Sequence, residues 1–212
     1  MSRRPAYVQP LLKSIGIGSP YFAVVIGVFL FNNGFAAVLF YHIVLAAAIA
    51  THKINPVHVL LKGFRPVIGP LICLGGLLPG VVILLLWAFA KQESVDLSDI
   101  FLMLNLHGGL FTLFAVYACL VNPILEESFW RGCFKNNSRC PSGVDMLFAG
   151  YHALAVFPVL KPVFVVFVFT AMVFVGWLFR SLYRLTGGLF VPLMTHIIAD
   201  IAILFAIRKI IQ

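Results

Sequence analysis

The sequence predicts an all-α fold: a polytopic transmembrane helical bundle of six or seven spans. Three observations carry that prediction. Apolar types make up 62% of the 212 residues and charged types only 10%, with a mean hydropathy of +1.05. Soluble domains run at roughly a quarter charged residues, so this chain has too few charges to cover a water-facing surface and far too much apolar content for disorder. The apolar runs are also long and continuous, without the short alternating segments of a transmembrane β-barrel.

The first apolar stretch, residues 21–50, is broken by Asn32-Asn33-Gly34. As one helix it would be about 45 Å long, too long for a hydrocarbon core of about 30 Å unless tilted or bent. As a hairpin its arms are short, and the first must begin near Ile15 and pass through Pro20. Residues 51–65 read as a polar linker holding Lys53, Lys62 and Arg65. The next span is 66–90, loosened by Gly75-Gly76 and Pro79-Gly80. An acidic connection follows over 91–99, in which Ser98 or Asp99 can cap a helix running from Ile100 to about Val121. That helix can continue through Pro123 to Phe134 with a kink. A loop over 136–143, a short apolar segment over 144–157, a span over 162–183 ended by Gly187-Gly188, and a last span over 189–207 complete the chain.

The 15 Lys+Arg against 7 Asp+Glu lie mostly between apolar runs, where they anchor helix ends to headgroups. No basic patch interleaved with aromatics supports nucleic-acid binding. With a hairpin at residues 21–50, Lys and Arg divide 11 to 4 in favour of one face; with a single helix they divide 8 to 7. The positive-inside rule therefore prefers the hairpin and puts the 131–139 loop in the cytoplasm. Cys73, Cys119, Cys133 and Cys140 have no zinc or redox spacing. The Met-Ser-Arg-Arg-Pro start is basic, with no cleavable signal pattern after it.

Of the acids, Glu93, Asp96 and Asp99 fall in a loop and Asp145 at a helix start, whereas Glu126, Glu127 and Asp200 lie in or beside apolar runs. An ionisable group at membrane depth costs at least about 2–3 kcal/mol on insertion scales, so such groups face one another or a water cavity. Glu127 and Arg131 are spaced for an i,i+4 pair, and His196 and Asp200 share a face in the same way. Glu126 points about 100° from Glu127. His152 lies in the short segment. His42, His52, His58 and His107 read as structural or interfacial. Each site alone is explained by helix anchoring or packing. Glu126, Glu127, His152, His196 and Asp200 together are better explained by one shared polar site inside the bilayer.

Three stretches resemble a known family. Glu126-Glu127-Ser128-Phe129-Trp130-Arg131 matches Glu-Glu-x-x-x-Arg, Phe148-Ala149-Gly150-Tyr151-His152 matches Phe-x-x-x-His, and His196-Ile197-Ile198-Ala199-Asp200 matches His-x-x-x-Asn/Asp. In that order they resemble the CAAX-processing and bacteriocin-processing (CPBP, or ABI) intramembrane proteases, which include the type II CAAX prenyl endopeptidases. The resemblance spans about 121–207 and implies a protease core over 99–212, with 1–98 as N-terminal membrane helices of the same membrane domain. It implies Glu126 as general base, His152 as a water-positioning group, His196 and Asp200 as oxyanion-facing groups, and Glu127 with Arg131 as an orienting pair, with no cofactor.

The type II CAAX enzymes carry Asn where this chain has Asp200. A charged Asp there would repel an oxyanion, whereas a protonated one donates a hydrogen bond. Asp200 also strengthens a zinc alternative, with His152, His196, Asp200 and Glu126 as ligands. The implied partners are membrane lipid and a peptide or protein substrate, either a prenylated C-terminal tail or a leader or precursor peptide. The implied location is an integral, multi-pass membrane protein, of the inner membrane in a prokaryote. Two further classes compete. One is a catalytically silent binding or immunity protein of the same fold. The other is a proton-coupled transporter, disfavoured because no internal repeat is visible.

Overall fold

The computed structural model describes residues 8–52, 60–66, 68–134 and 138–212. Among these the regular structure is helical, apart from one isolated antiparallel bridge between Lys91 and Leu160. Six helical stretches are long and apolar enough to cross a membrane: Pro10–Leu30, Gly34–Thr51, Gly69–Ala90, Gly108–Cys133, Pro162–Thr186 and Phe190–Ile211. The shorter apolar helix Gly143–Val156 makes a seventh element of the bundle.

The N-terminal stretch is a hairpin. Helix α1 (Val8–Phe22) continues as π-helix over Ala23–Leu30 and turns into α2 (Gly34–Thr51). The arms are longer than the 21–50 boundaries suggested, because α1 begins at Val8 and carries Pro20 inside it. Pro20 offers no N–H to the carbonyl four residues back. The buried Ser19 hydroxyl donates to that carbonyl, Gly16 O, at 2.8 Å. Asn32 makes the turn at φ 48°, and the Asn33 side chain caps α2 by accepting from Ala36 N at 2.9 Å.

The next span consists of α3 (Ile68–Leu74), a 3₁₀ turn at Gly75–Leu77 and α4 (Leu78–Ala90). The 3₁₀ turn falls on the Gly75-Gly76 pair marked in the sequence as a loosening point. A Cβ at Gly80 would meet the backbone of Ala202, so glycine is what allows α4 to seat against the last helix.

Two expectations are corrected here. The cap of the next helix, α5 (Leu97–Met103), is Asp96, whose carboxylate accepts from Ser98 N at 2.7 Å, rather than Ser98 or Asp99. The helix expected to run unbroken from Ile100 is in fact two. Asn105 takes φ 56°, Gly108 takes φ 53°, and α6 (Gly108–Glu126) starts afresh. The break docks on the hairpin tip, through Gly34 N to Leu104 O at 3.1 Å and Asn105 Nδ2 to Asn32 O at 3.2 Å.

As expected, α6 continues through Pro123, here as a π-helix over Glu127–Cys133. Then come α7 (Gly143–Val156), α8 (Pro162–Thr186) and α9 (Phe190–Ile211). Gly187 ends α8 at φ 74°, a left-handed position suited to glycine. The 53–59 part of the linker, with His58, and residues 135–137 lie outside the described residues.

Backbone contacts define two ends of the bundle. At one end Gln92 N donates to Val159 O and Lys161 N to Ala90 O. At the other, Phe190 N donates to Lys62 O. The main apolar cluster joins Tyr41, Leu45 and Ala48 of α2 to Phe129 and Trp130 of the π-helix and to Phe148 and Tyr151 of α7. Its members Phe129 and Trp130 follow Glu126 and Glu127 closely in the chain, and Tyr151 of α7 bonds Glu126.

Candidate active site

Glu126 closes α6 and Glu127 opens the π-helix that follows it. Short π segments inside α-helices are frequent at functional sites, because the wider turn re-aims side chains. Both glutamates are buried, Glu126 at 2% and Glu127 at 0% exposure. Although about 100° apart on an ideal helix, both reach the imidazole of His196 on α9.

His196 Nδ1 lies 2.8 Å from Glu127 Oε1, and since a carboxylate only accepts, Nδ1 donates. Its Nε2 faces Glu126 Oε2 at 3.9 Å and Asp200 Oδ1 at 3.6 Å. Glu127 Oε1 also accepts from Arg131 Nη1 at 3.1 Å. The expected Glu127–Arg131 pair is therefore present, and it extends to His196. The Arg131 guanidinium lies over the Phe148 ring, 4.3 Å from its centroid, with Phe179 at 5.3 Å. Stacking of this kind suits a planar, weakly hydrated cation at a buried site.

His152, on α7, directs Nδ1 at Phe148 O, 2.9 Å away. The carbonyl accepts, so Nδ1 carries that proton and the neutral ring leaves Nε2 bare. The ring packs on Tyr151, with centroids 4.1 Å apart. Asp200 turns Oδ2 to Asn122 Nδ2 at 3.2 Å. The predicted residues thus sit on the α6–π segment, α7 and α9, with Glu126, Glu127, Asp200 and Arg131 linked through or beside His196.

Sequence reasoning missed two groups. Tyr151 donates its hydroxyl to Glu126 Oε1 at 2.6 Å. It stands next to His152 inside the Phe-x-x-x-His stretch, where an aromatic residue reads as packing. Asn122, four residues before Glu126, holds Asp200; an Asn next to a Pro reads as a kink signal. Glu126 Oε2 is buried and has no hydrogen-bond partner among the described residues. Among those residues no group of three or more His, Cys, Asp or Glu side chains is placed to hold a metal ion, and this covers the four alternative zinc ligands.

Outside the membrane-spanning helices, Asp145 near the start of α7 is buried at 3% exposure. It accepts from Arg180 Nη2 at 2.6 Å, Arg180 Nε at 3.2 Å, and the backbone N and hydroxyl of Ser142, each at 2.8 Å. Burial alone would raise its pKa, but the hydrogen bonds from Arg180 and Ser142 outweigh it and hold the carboxyl below its ordinary value.

No curated protein and no solved structure matches the chain. A family model does: residues 108–202 match Type II CAAX prenyl endopeptidase Rce1-like. The matched stretch contains all three motifs and every candidate residue described above, and it leaves out the α1–α2 hairpin. Residues 108–202 are a domain of the Rce1-like type II CAAX prenyl endopeptidase family, a family of proteases.

Proposed function

We propose that this multi-pass membrane protein is an intramembrane endopeptidase that hydrolyses a peptide bond of a membrane-associated substrate with a water activated by Glu126. The carrying observation is the Glu126 carboxylate: one oxygen is fixed by Tyr151, and the other is buried, without a hydrogen-bond partner among the described residues, and directed toward His196. A general base needs one oxygen oriented and one free to take a proton.

In this reading Glu126 Oε2 takes a proton from water as the hydroxide oxygen bonds to the scissile carbonyl carbon. His152 Nε2 helps hold that water. The carbonyl oxygen gains negative charge and is stabilised by His196 Nε2–H, with Asp200 fixing that edge of the ring. Glu127 and Arg131 keep the ring in place from the other side. As the C–N bond breaks, Glu126 returns its proton to the leaving amine. No covalent enzyme intermediate forms.

The substrate class is a prenylated C-terminal tail or a leader or precursor peptide, entering from the lipid. The described Lys and Arg residues support a cytoplasmic active-site end. Lys13, Lys62, Arg65, Arg131, Arg139, Arg180 and Arg184 belong to that end, against Lys91, Lys161, Arg208 and Lys209 at the other.

The test is cleavage of quenched prenyl-tail and leader peptides by protein reconstituted in liposomes, with and without a chelator. Cleavage that survives chelation is the expected result. Loss on chelation with recovery on adding zinc would replace this reading with the metal-dependent one. A folded, monodisperse protein that cleaves none of the peptides would favour the silent binding reading. The same assay checks Tyr151. Tyr151→Phe keeps the ring but removes a hydrogen bond to a charged group, of the kind that contributes about 1.5–3 kcal/mol. Its turnover should fall by roughly 10- to 100-fold with KM little changed. An unaltered rate would remove Tyr151 from the mechanism.

A further inference from the structure

A second polar chain runs through the membrane-spanning part of the protein and ends on the same site. It starts on the N-terminal hairpin, which the family match leaves out. His42, on α2, is buried at 3% exposure. Its Nδ1 lies 2.9 Å from the Tyr117 hydroxyl and its Nε2 3.0 Å from Asn122 Oδ1. Asn122 Nδ2 donates to Asp200 Oδ2 at 3.2 Å. The chain joins α2, α6 and α9.

Each link sets the direction of the next. The Asn122 side-chain oxygen can only accept, so His42 Nε2 carries a proton and donates it. With that nitrogen protonated, the neutral ring accepts from the Tyr117 hydroxyl at Nδ1. With its oxygen turned to His42, Asn122 must turn its NH₂ to Asp200, where Oδ2 is held as an acceptor. Asp200 Oδ1 is then left facing His196 Nε2, 3.6 Å away. A histidine that only filled space between α2 and α6 would need one partner on the neighbouring helix, and Tyr117 would be enough. The second ring nitrogen is instead committed to the side chain that holds Asp200. Buried networks with every member partnered fix a single arrangement of their groups.

We infer that His42, Tyr117 and Asn122 are positioning residues that lock the rotamer of Asp200, so that its Oδ1 faces His196. None of the three touches the substrate. The inference rests on the glutamate-protease reading, and it assigns the N-terminal hairpin a part in the chemistry.

The test uses the full chain in liposomes, with kcat and KM read separately and folding checked by size exclusion and thermal unfolding. Asn122→Ala should lower kcat by roughly tenfold, the scale of one hydrogen bond to a charged group, and His42→Phe, which frees the Asn122 amide to turn away from Asp200, by a similar factor, each with KM within about twofold. His42→Gln, whose amide nitrogen can stand near the Nε2 position, should recover most of the loss. Asn122→Asp sets carboxylate against carboxylate and should be the worst single change. The exchange Asn122→Asp with Asp200→Asn restores a donor facing an acceptor with the direction reversed, and should exceed Asn122→Asp alone by roughly tenfold. Losses confined to KM, or a double exchange no better than Asn122→Asp, would overturn the inference.

A second measurement does not depend on catalysis. In protein labelled with ¹⁵N-histidine, His42 should show a protonated Nε2 and a bare Nδ1, and Asn122→Ala should shift the ring signals of His196. If the wild type cleaves nothing but these shifts appear, the protease reading fails and the positioning chain stands. If His196 does not respond in a folded Asn122→Ala protein, the chain itself is wrong.

Discussion

Glu126→Gln is expected to lower kcat/KM by on the order of 10³-fold while leaving the protein inserted and folded. The substitution is nearly isosteric. Its amide oxygen can still accept from the Tyr151 hydroxyl, which binds Oε1 at 2.6 Å in the wild type. What it removes is the capacity of the second position, Oε2, to take a proton from water. Glu126→Asp separates chemistry from geometry. It keeps the carboxylate but draws it back by one methylene, and a displacement of that order costs about 10²-fold. The expected order of single-turnover rates is therefore wild type, then Asp, then Gln, with thermal unfolding midpoints close together. A Gln variant keeping more than a tenth of the wild-type rate would show that the base is elsewhere. Glu127→Gln should behave differently. Glu127 holds both Arg131 and His196, so its loss should lower the unfolding midpoint as well as the rate.

The helical class and the motif carriers were legible in the sequence because hydropathy and i,i+4 spacing are local properties. Glu127 with Arg131 and His196 with Asp200 each sit four residues apart on one helix, and both pairs are present in the fold. What local spacing does not carry is direction across helices. That both glutamates converge on one imidazole depends on the π-helical turn over Glu127–Cys133, for which no residue pattern is specific. The Asn105 break was written as Leu-Asn-Leu-His-Gly-Gly, yet hydropathy runs on through it. It becomes decisive only when Asn105 meets Asn32 of the hairpin tip. The hairpin itself was half legible. Asn32-Asn33-Gly34 marks the turn and the charge balance favours it, but the arms look short because the continuous apolar run starts only at Tyr21, which places the start of the first arm near Ile15 rather than at Val8. The Ser19 hydroxyl, bonded to the carbonyl that Pro20 leaves free, is what allows α1 to run through. His42 was read as structural because its partners, at positions 117 and 122, are more than seventy residues away.

Asp145→Ala is expected to destabilise the folded protein by about 3–5 kcal/mol, the usual cost of removing one partner from a buried ion pair. The argument starts at Arg180 of α8, which is 3% exposed. Its guanidinium binds Asp145 through Nε and Nη2 and also reaches Ser138 O at 2.6 Å and Cys140 O at 2.9 Å. Removing the carboxylate leaves a buried cation with carbonyl partners alone and takes away the group that accepts from Ser142 at the start of α7. The effect has a defined pH dependence. The folded carboxyl is held below its ordinary value, so its stabilisation is present in full above the unfolded pKa of about 3.9 and is lost as pH falls through the folded value. The gap in unfolding free energy between wild type and Asp145→Ala should therefore be constant from about pH 5 to 8 and narrow below about pH 4. Equal stabilities at pH 6 would sink the prediction. Activity should fall as well, for a geometric reason. Tyr151 lies about 9 Å further along α7 at 1.5 Å per residue, so the Asp145–Arg180 clamp sets the depth at which it meets Glu126. Tyr151→Phe should lower turnover without changing the stability gap at low pH, whereas Asp145→Ala should lower both, which separates the group that touches the base from the clamp that sets its depth.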